Sequence, residues 1–489
     1  MFLSRTILRR KFILNLILVV FLNLLVKPFW VFGIDRTVQN VVGAEQYGFY
    51  FALFNFSLIL NILLDLGITN YNNRNISQNE SGLTLNFSNI FTLRLILGVF
   101  YFVVSMVAAW LCNYNSHQLA MLMFLTFNQF LLALILYLRS NLAGLQLFKT
   151  DSIMSVLDRV VMIVICSLLL WGNITSQPFR IEWFVYAQTG AYLLTAVVAF
   201  VLVFIHAPTF RPTFNLQFSL EVLRKSFPFA LLTLLMSLYN RIDSVMLERL
   251  LPDGKVQAGI YAQAFRISDA CCMFALLFAN LLLPMFSRMI KQRENVAGLL
   301  KLSTVAMAVP VVAGAAACVF YRGPVMDLLY SSHVAESAPI FALLISGFVA
   351  ISMVYIYGTL LTANGSLRQL NIVAFCGMVF NIAMNFVLIP RYGALGAAIV
   401  SLATQSLTAF AQIAIAFSIF GLKFRGHTQY MLLIYVLGIV AFGFASTHLP
   451  FGWSCNALIM LVAAGLWAFV LRLVSVGDFV KLLKMKEEG

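Results

Sequence analysis

The sequence predicts an all-α polytopic membrane protein of about fourteen transmembrane helices, in two six-helix lobes plus two C-terminal helices. Three observations carry that prediction. The 489 residues are 62% hydrophobic and only 10% charged, whereas soluble domains carry about 25% charged residues. Apolar runs of roughly 20 residues recur to the C-terminus, the length needed to cross a bilayer. The segments between them never exceed roughly 25 residues, too short for a folded aqueous catalytic domain.

Taken in order, the runs are 12–33, 48–69, 89–111, 119–144, 153–172 and 183–206, then 228–251, 258–287, 299–320 and 339–363, and finally 368–390, 396–420, 429–449 and 454–473. Arg5, Arg9, Arg10 and Lys11 precede the first run. A signal peptide begins in this way, but this run is too long and has no small-residue cleavage site, so it reads as a retained helix. Lys and Arg concentrate on one side when the N-terminus is placed in the cytoplasm: Arg211, Arg224, Lys225, Arg288, Lys291, Arg293, Lys423, Arg425, Lys481 and Lys484 fall there. The opposite loops hold Arg36, Arg180, Arg249, Lys255, Arg322 and Arg391. The positive-inside bias therefore puts both termini in the cytoplasm.

The net charge of +14 does not indicate nucleic acid, because the basic residues sit at span ends and form no continuous aqueous patch. The seven cysteines, Cys112, Cys166, Cys271, Cys272, Cys318, Cys376 and Cys455, lie mostly inside apolar runs without a C-x-x-C pair. They read as small core residues, not as disulfide partners or metal ligands.

One repeat organises the chain. Gly43-AEQY-Gly48-F-Tyr50-FAL-Phe54 and Gly254-KVQA-Gly259-I-Tyr261-AQA-Phe265 share the pattern G-x4-G-x-Y-x3-F. The first copy opens the second span and the other opens the eighth. An even number of spans separates them, so the halves share one orientation, as parallel repeats do. This predicts an N-terminal lobe at 1–206, a cytoplasmic linker at 207–227, a second lobe at 228–420, and two further helices with a short tail at 421–489.

Charges deep in a span are costly, about 2.5–3.5 kcal/mol each on insertion scales, and so face partners or cavities. Arg94, Arg139 and Arg159 lie near expected cytoplasmic ends, as does Asp65. The three arginines read as interface anchors, with Asp158 as the local companion of Arg159. Arg241 lies deeper, about 15 Å from the outer end of its span, and Arg266 about 12 Å from the same side of the next. Asp243 and Asp269 sit within a turn of each, and Lys27, beside Pro28, has comparable depth. Arg266 and Asp269 are spaced to pair at i, i+3, and Arg241 could pair with Asp243 across the hairpin. Arg241 and Asp243 are two apart on one helix and point to different faces. An aqueous cavity with a positive excess is the second reading, and it suits an anionic ligand, since arginine binds phosphate through paired donors.

At these residues a family resemblance emerges. The stretches GAEQYGFYFALFNFSLILNILLDLGITNYNNR, YNRIDSVMLERLL followed by GIYAQAFRISD, and RYGALGAAIVSLATQ resemble the Wzx-like polysaccharide-biosynthesis flippases of the multidrug/oligosaccharidyl-lipid/polysaccharide exporter superfamily. The resemblance spans nearly the whole chain. It implies a bacterial inner-membrane transporter that carries an undecaprenyl-diphosphate-linked oligosaccharide to the outer leaflet by alternating access, for O-antigen, capsule or exopolysaccharide assembly. It implies a cationic cavity between two lobes, mapped here onto Arg241 and Arg266 with Lys27 and Arg36 as further candidates. Asp243, Asp269 and Asp65 are candidates for a coupling proton or sodium ion or for charge pairing. Tyr239 and Tyr261 are candidates for stacking on sugars. No cofactor or metal is implied. Partners would be the lipid-linked substrate, membrane lipids, a polysaccharide polymerase and a chain-length regulator. Asn55 occupies the repeat position of Arg266, so the two lobes are unequally charged.

Two rival classes are weaker. A cation-coupled multidrug exporter of the same superfamily would favour unpaired carboxylates over arginines. A membrane glycosyltransferase or polymerase needs positioned carboxylates, yet the sequence contains no D-x-D, H-E-x-x-H or G-x4-G-K-[ST]. Asp35, beside Arg36 in the expected first outer loop, is the one candidate acid. No catalytic residues are assigned. His117, His206, His333, His427 and His448 are scattered at loop edges.

Overall fold

Thirteen α-helices and no strand occur among the residues described by the computed structural model, namely 25–66, 81–144, 147–172, 176–206, 216–422 and 427–473. In chain order they are α1 (Arg36–Ile59), α2 (Ser81–Leu111), α3 (Ser116–Gly144), α4 (Phe148–Trp171), α5 (Ile181–His206), α6 (Leu216–Leu250), α7 (Gly254–Lys291), α8 (Ala297–Phe320), α9 (Arg322–Leu329), α10 (Val334–Ala363), α11 (Leu367–Phe420), α12 (His427–Thr447) and α13 (Trp453–Val470). Eleven helices among the described residues are long and apolar enough to cross a membrane. The chain is a multi-pass integral membrane protein. The 54 residues of α11 cover the expected eleventh and twelfth spans, joined at Gly393, whose φ of 57° and ψ of −136° break the helix just after Pro390.

Two segments depart from the sequence-based expectation. The outer loop expected at 34–47 is helical. A π-helical segment, Phe29–Asp35, follows Pro28 and runs directly into α1. Proline removes a backbone donor, and local π adjustment is one way a membrane helix accommodates it. The break falls instead at Gly43, with φ 77° and ψ 171°. The other departure is at 216–227, expected as part of a surface linker: these residues form the first turns of α6, with Pro228 inside the helix.

The chain divides into two compact units, Met1–Glu248 and Arg249–Gly489. The first unit thus takes in nearly all of α6, which had been expected to open the second lobe. Its apolar core joins Ile90, Leu93 and Leu97 of α2 to Tyr137, Leu138 and Leu142 of α3, Met154 of α4, and Ala199 and Val203 of α5. Val99, Phe100, Trp110 and Leu111 of α2 are exposed large apolar side chains, as expected of a helix that meets lipid.

In the second unit, Val305, Val309, Ala313, Ala317 and Tyr321 form a row around α8, facing Tyr435 and Ile439 of α12 and Met460, Ala464 and Ala468 of α13. The four-residue spacing makes matching ridges, and the alanines let the helix backbones approach. Polar side chains fasten the contact: Tyr435 donates to Val309 O at 3.1 Å and Tyr321 to Ser446 Oγ at 2.8 Å.

The sequence repeat has a structural counterpart in each unit. Tyr50 stacks on Phe54 with centroids 5.6 Å apart and planes at 23°, and Tyr261 stacks on Phe265 at 5.7 Å and 28°. The four-residue spacing places each pair on one helix face. None of the seven cysteines forms a disulfide, but Cys112, Cys376 and Cys455 are exposed, so only the other four fit the expected interior role.

Candidate functional site

Helix α6 carries a polar stretch, Tyr239-Asn240-Arg241-Ile242-Asp243-Ser244, within an otherwise apolar span. Tyr239 and Asp243 are each 1% exposed, and Arg241 is half-buried between them. The Arg241 guanidinium donates from Nη1 to Asn55 Oδ1 of α1 at 3.3 Å. Asn55 is 1% exposed, and its Nδ2 donates to Phe51 O one turn earlier at 3.0 Å. A buried amide must satisfy both ends, and these two contacts orient it.

A second group of charges gathers where residues 25–35, ahead of α1, come near α3 and α4. Lys27 lies within electrostatic reach of Arg159, Asp158 and Arg139. Arg159 contacts Asp158 at 3.5 Å and places its guanidinium 5.3 Å above the Trp30 ring. Trp30 in turn stacks on Phe184 of α5, with ring centroids 5.7 Å apart. Arg139 donates to Asp151 at 2.8 Å. Lys27, grouped by depth with Arg241 and Arg266 in the sequence, thus has a basic neighbourhood of its own, formed by helices far from α6 in the chain.

Arg94 is a clear correction. It is not an interface anchor: its side chain is 2% exposed and ion-paired with Asp65. It also donates to Leu64 O at 3.4 Å and Ala133 O at 3.3 Å, and lies 4.8 Å from the Tyr137 ring centre. Asp65 is therefore the charge partner of a buried arginine. The companionship of Arg159 and Asp158 is as the sequence suggested. Arg36, placed by sequence in an outer loop, is half-buried as the first residue of α1. Asp35, just before it, is 4% exposed and accepts from the Tyr47 hydroxyl at 2.9 Å through both carboxylate oxygens.

In the second unit, Arg266 and Asp269 sit one turn apart on α7, both half-buried. Tyr261 is 1% exposed and stacked on Phe265. The rings of Tyr239 and Tyr261 are therefore both covered by protein in this conformation. No group of three or more His, Cys, Asp or Glu among the described residues could hold a metal.

Two polar arrangements escaped the sequence reading. Asn115 and Gln118 form a reciprocal capping box at the start of α3, with bonds of 2.9 and 3.0 Å, and Gln118 Nε2 reaches Glu248 at 2.7 Å. The N-x-x-Q spacing is the signal that could have revealed it. In α11, Asn385 donates to Asn381 at 3.1 Å, and Asn381 to Thr404 at 3.5 Å, all fully buried. Asn381 and Asn385 are i, i+4, a one-face spacing visible in the sequence.

Comparison with known proteins places this architecture. The sequence model of the family described as polysaccharide biosynthesis protein matches residues 13–290. An uncharacterized membrane protein of Methanocaldococcus jannaschii is 26% identical over 191 residues, 39% of this chain. The match spans 44% of that relative, less than half its length. Among solved structures, the lipid II flippase MurJ in an inward closed conformation superposes with a TM-score of 0.64 at 14% identity, covering 96% of this chain and 100% of MurJ. An inward-facing multidrug resistance MATE family transporter of the MOP superfamily gives 0.64 at 16% identity, covering 82% of this chain and 94% of its own. These structures share the fold. With more than half its length matched by the family model, the chain belongs to the polysaccharide biosynthesis protein family.

Proposed function

We propose that this protein is a flippase that moves an undecaprenyl-diphosphate-linked oligosaccharide from the cytoplasmic to the outer leaflet of a bacterial inner membrane, for O-antigen, capsule or exopolysaccharide assembly. The observation that carries the reading is the presence of half-buried guanidiniums, Arg241 and Arg266, on membrane-crossing helices of a chain in this family. A sugar head group cannot cross hydrocarbon with its hydroxyls unpaired. Polar and charged groups held within the spans replace water during passage while the lipid tail stays in the bilayer. Guanidinium groups suit the diphosphate because two parallel N–H donors match two phosphate oxygens.

Arg241 and Arg266 bind the diphosphate in this reading, and Lys27 with its basic neighbours offers a further cationic contact for it. Arg36 stands in reserve at the start of α1. Tyr239 and Tyr261 serve sugar stacking only in a state that uncovers their rings. Asp243, Asp269 and Asp65 are the candidates for a coupling proton or sodium ion or for charge pairing, and Asp65 is ion-paired with Arg94. The bias of Lys and Arg supports cytoplasmic termini. A polymerase and a chain-length regulator are the expected partners downstream.

The test is transport by the purified protein in proteoliposomes, using a fluorescent undecaprenyl-diphosphate-linked N-acetylglucosamine and a membrane-impermeant quencher. Protein-dependent exposure of the label supports the reading. Its absence, together with export of cationic dyes by the same vesicles, would favour the multidrug-exporter alternative suggested by the shared fold.

A further inference from the structure

We infer that Asn55 is a positioning residue for Arg241, holding its guanidinium for an anionic ligand while adding no opposite charge of its own; the inference rests on the diphosphate-binding reading above. Three observations converge. Arg241 Nη1 donates to Asn55 Oδ1 at 3.3 Å, across from α6 to α1. The amide cannot turn over freely, because its Nδ2 is bonded to Phe51 O at 3.0 Å and the side chain is 1% exposed. Turning it would set Oδ1 against that carbonyl and Nδ2 against the guanidinium, pairing acceptor with acceptor and donor with donor.

The third observation comes from the repeat. Position 55 directly follows Phe54 as Arg266 follows Phe265, and the Tyr–Phe stacks before them have nearly the same geometry in both units. The same local frame therefore presents a cation in one unit and a neutral amide in the other. A carboxylate at position 55 would grip Arg241 more firmly, but its negative charge would cancel the attraction for phosphate. An apolar side chain would take this acceptor away from the guanidinium. Asparagine supplies a directed acceptor with no net charge, which orients the guanidinium and preserves its field.

The experiment measures binding of undecaprenyl diphosphate to the purified full-length protein in detergent, for Asn55→Leu, Asn55→Asp, Arg241→Ala and the double variant Asn55→Leu/Arg241→Ala. Size-exclusion profiles check folding, and Asn55→Asp is nearly isosteric, so it preserves packing even where leucine disturbs it. Arg241→Ala weakens binding by roughly tenfold or more. Asn55→Leu and Asn55→Asp each weaken it by roughly three- to tenfold. Asn55→Leu has no further effect once Arg241 is alanine, the non-additivity expected of residues acting as a unit. If Arg241→Ala binds like the wild type, the diphosphate reading of this arginine fails and the inference fails with it. If Arg241→Ala is weak but both Asn55 variants bind normally, or Asn55→Leu weakens binding equally in the Arg241→Ala background, Asn55 acts only in packing and the diphosphate reading survives.

Discussion

Arg94 and Asp65 form an ion pair in which the guanidinium is 2% exposed and the carboxylate 30%. The same arginine reaches two backbone carbonyls, Leu64 O and Ala133 O, and lies over the Tyr137 ring. It therefore ties the end of the α1 region to α2 and α3 with one planar group. Arg94→Ala should destabilise the folded protein by about 3 kcal/mol, because it strands a partly buried carboxylate and removes a donor from both carbonyls. Arg94→Lys should recover only part of this, since an ammonium lacks the flat fork that meets several acceptors. Replacing both partners, as Arg94→Met with Asp65→Leu, should cost less than Arg94→Ala alone. Thermal unfolding in detergent distinguishes the three.

Arg241→Ala and Arg266→Ala should each reduce transport of the lipid-linked probe in proteoliposomes by about tenfold or more, while expression and membrane insertion stay at wild-type levels. Normal transport by both variants would remove the cationic-site assignment. Lysine substitutions separate charge from geometry: they should restore part of the activity if net charge matters, and little if the paired donors matter.

Packing of the C-terminal hairpin depends on two glycines. A Cβ at Gly443 would lie 2.0 Å from Phe320 Cε2, and one at Gly438 2.2 Å from Trp467 Nε1. Both rings are wedged, Phe320 at 5.1 Å from Phe444 and Trp467 at 6.0 Å from Phe442. Gly443→Ala and Gly438→Ala should each cost about 1–3 kcal/mol through overpacking. Gly314→Ala on α8, where a Cβ meets nothing within 4 Å, should be close to neutral and serves as the control in a thermal-shift series.

Backbone breaks give a second graded pair. Gly43 has φ 77° but open space around a would-be Cβ, whereas Gly393 has φ 57° and Gln257 Oε1 2.7 Å from that position. Gly43→Ala should cost about 1–3 kcal/mol from backbone strain alone. Gly393→Ala should cost more, since it also pushes on Gln257, whose Oε1 accepts from Ala394 N at 3.1 Å. Equal melting temperatures for the two variants would contradict the steric contribution.

Hydropathy and the repeat made the membrane class, most span positions and the Tyr–Phe frame readable from residues alone. Run length and the aromatic spacing are local properties, and local properties survive in a one-dimensional string. Arg94 was misread because nearness to a span end says nothing about which helices close over a side chain, and Ala133 and Tyr137 lie far from it in sequence. Lys27 was grouped by depth with Arg241, yet depth does not reveal the angular position that brings it near Arg139 and Arg159. The helical run through 34–42 was hidden because hydropathy marks polar residues as loop, whereas Val38, at 0% exposure, and Gln39, at 2%, are buried. Asn55 was noticed through the repeat, but its bond to Arg241 depends on residues 186 apart in the chain coming within side-chain reach.

The doubled aromatic frame has an evolutionary corollary. When a gene is copied and joined to itself, both copies begin with identical chemistry, and every later difference must avoid collapsing the scaffold. Anchoring each copy on an internal ring pair lets the residue just beyond it, 55 in one and 266 in the other, take on a different task in each copy. Polarity next to the frame can then differ between the two copies without the frame itself being rebuilt.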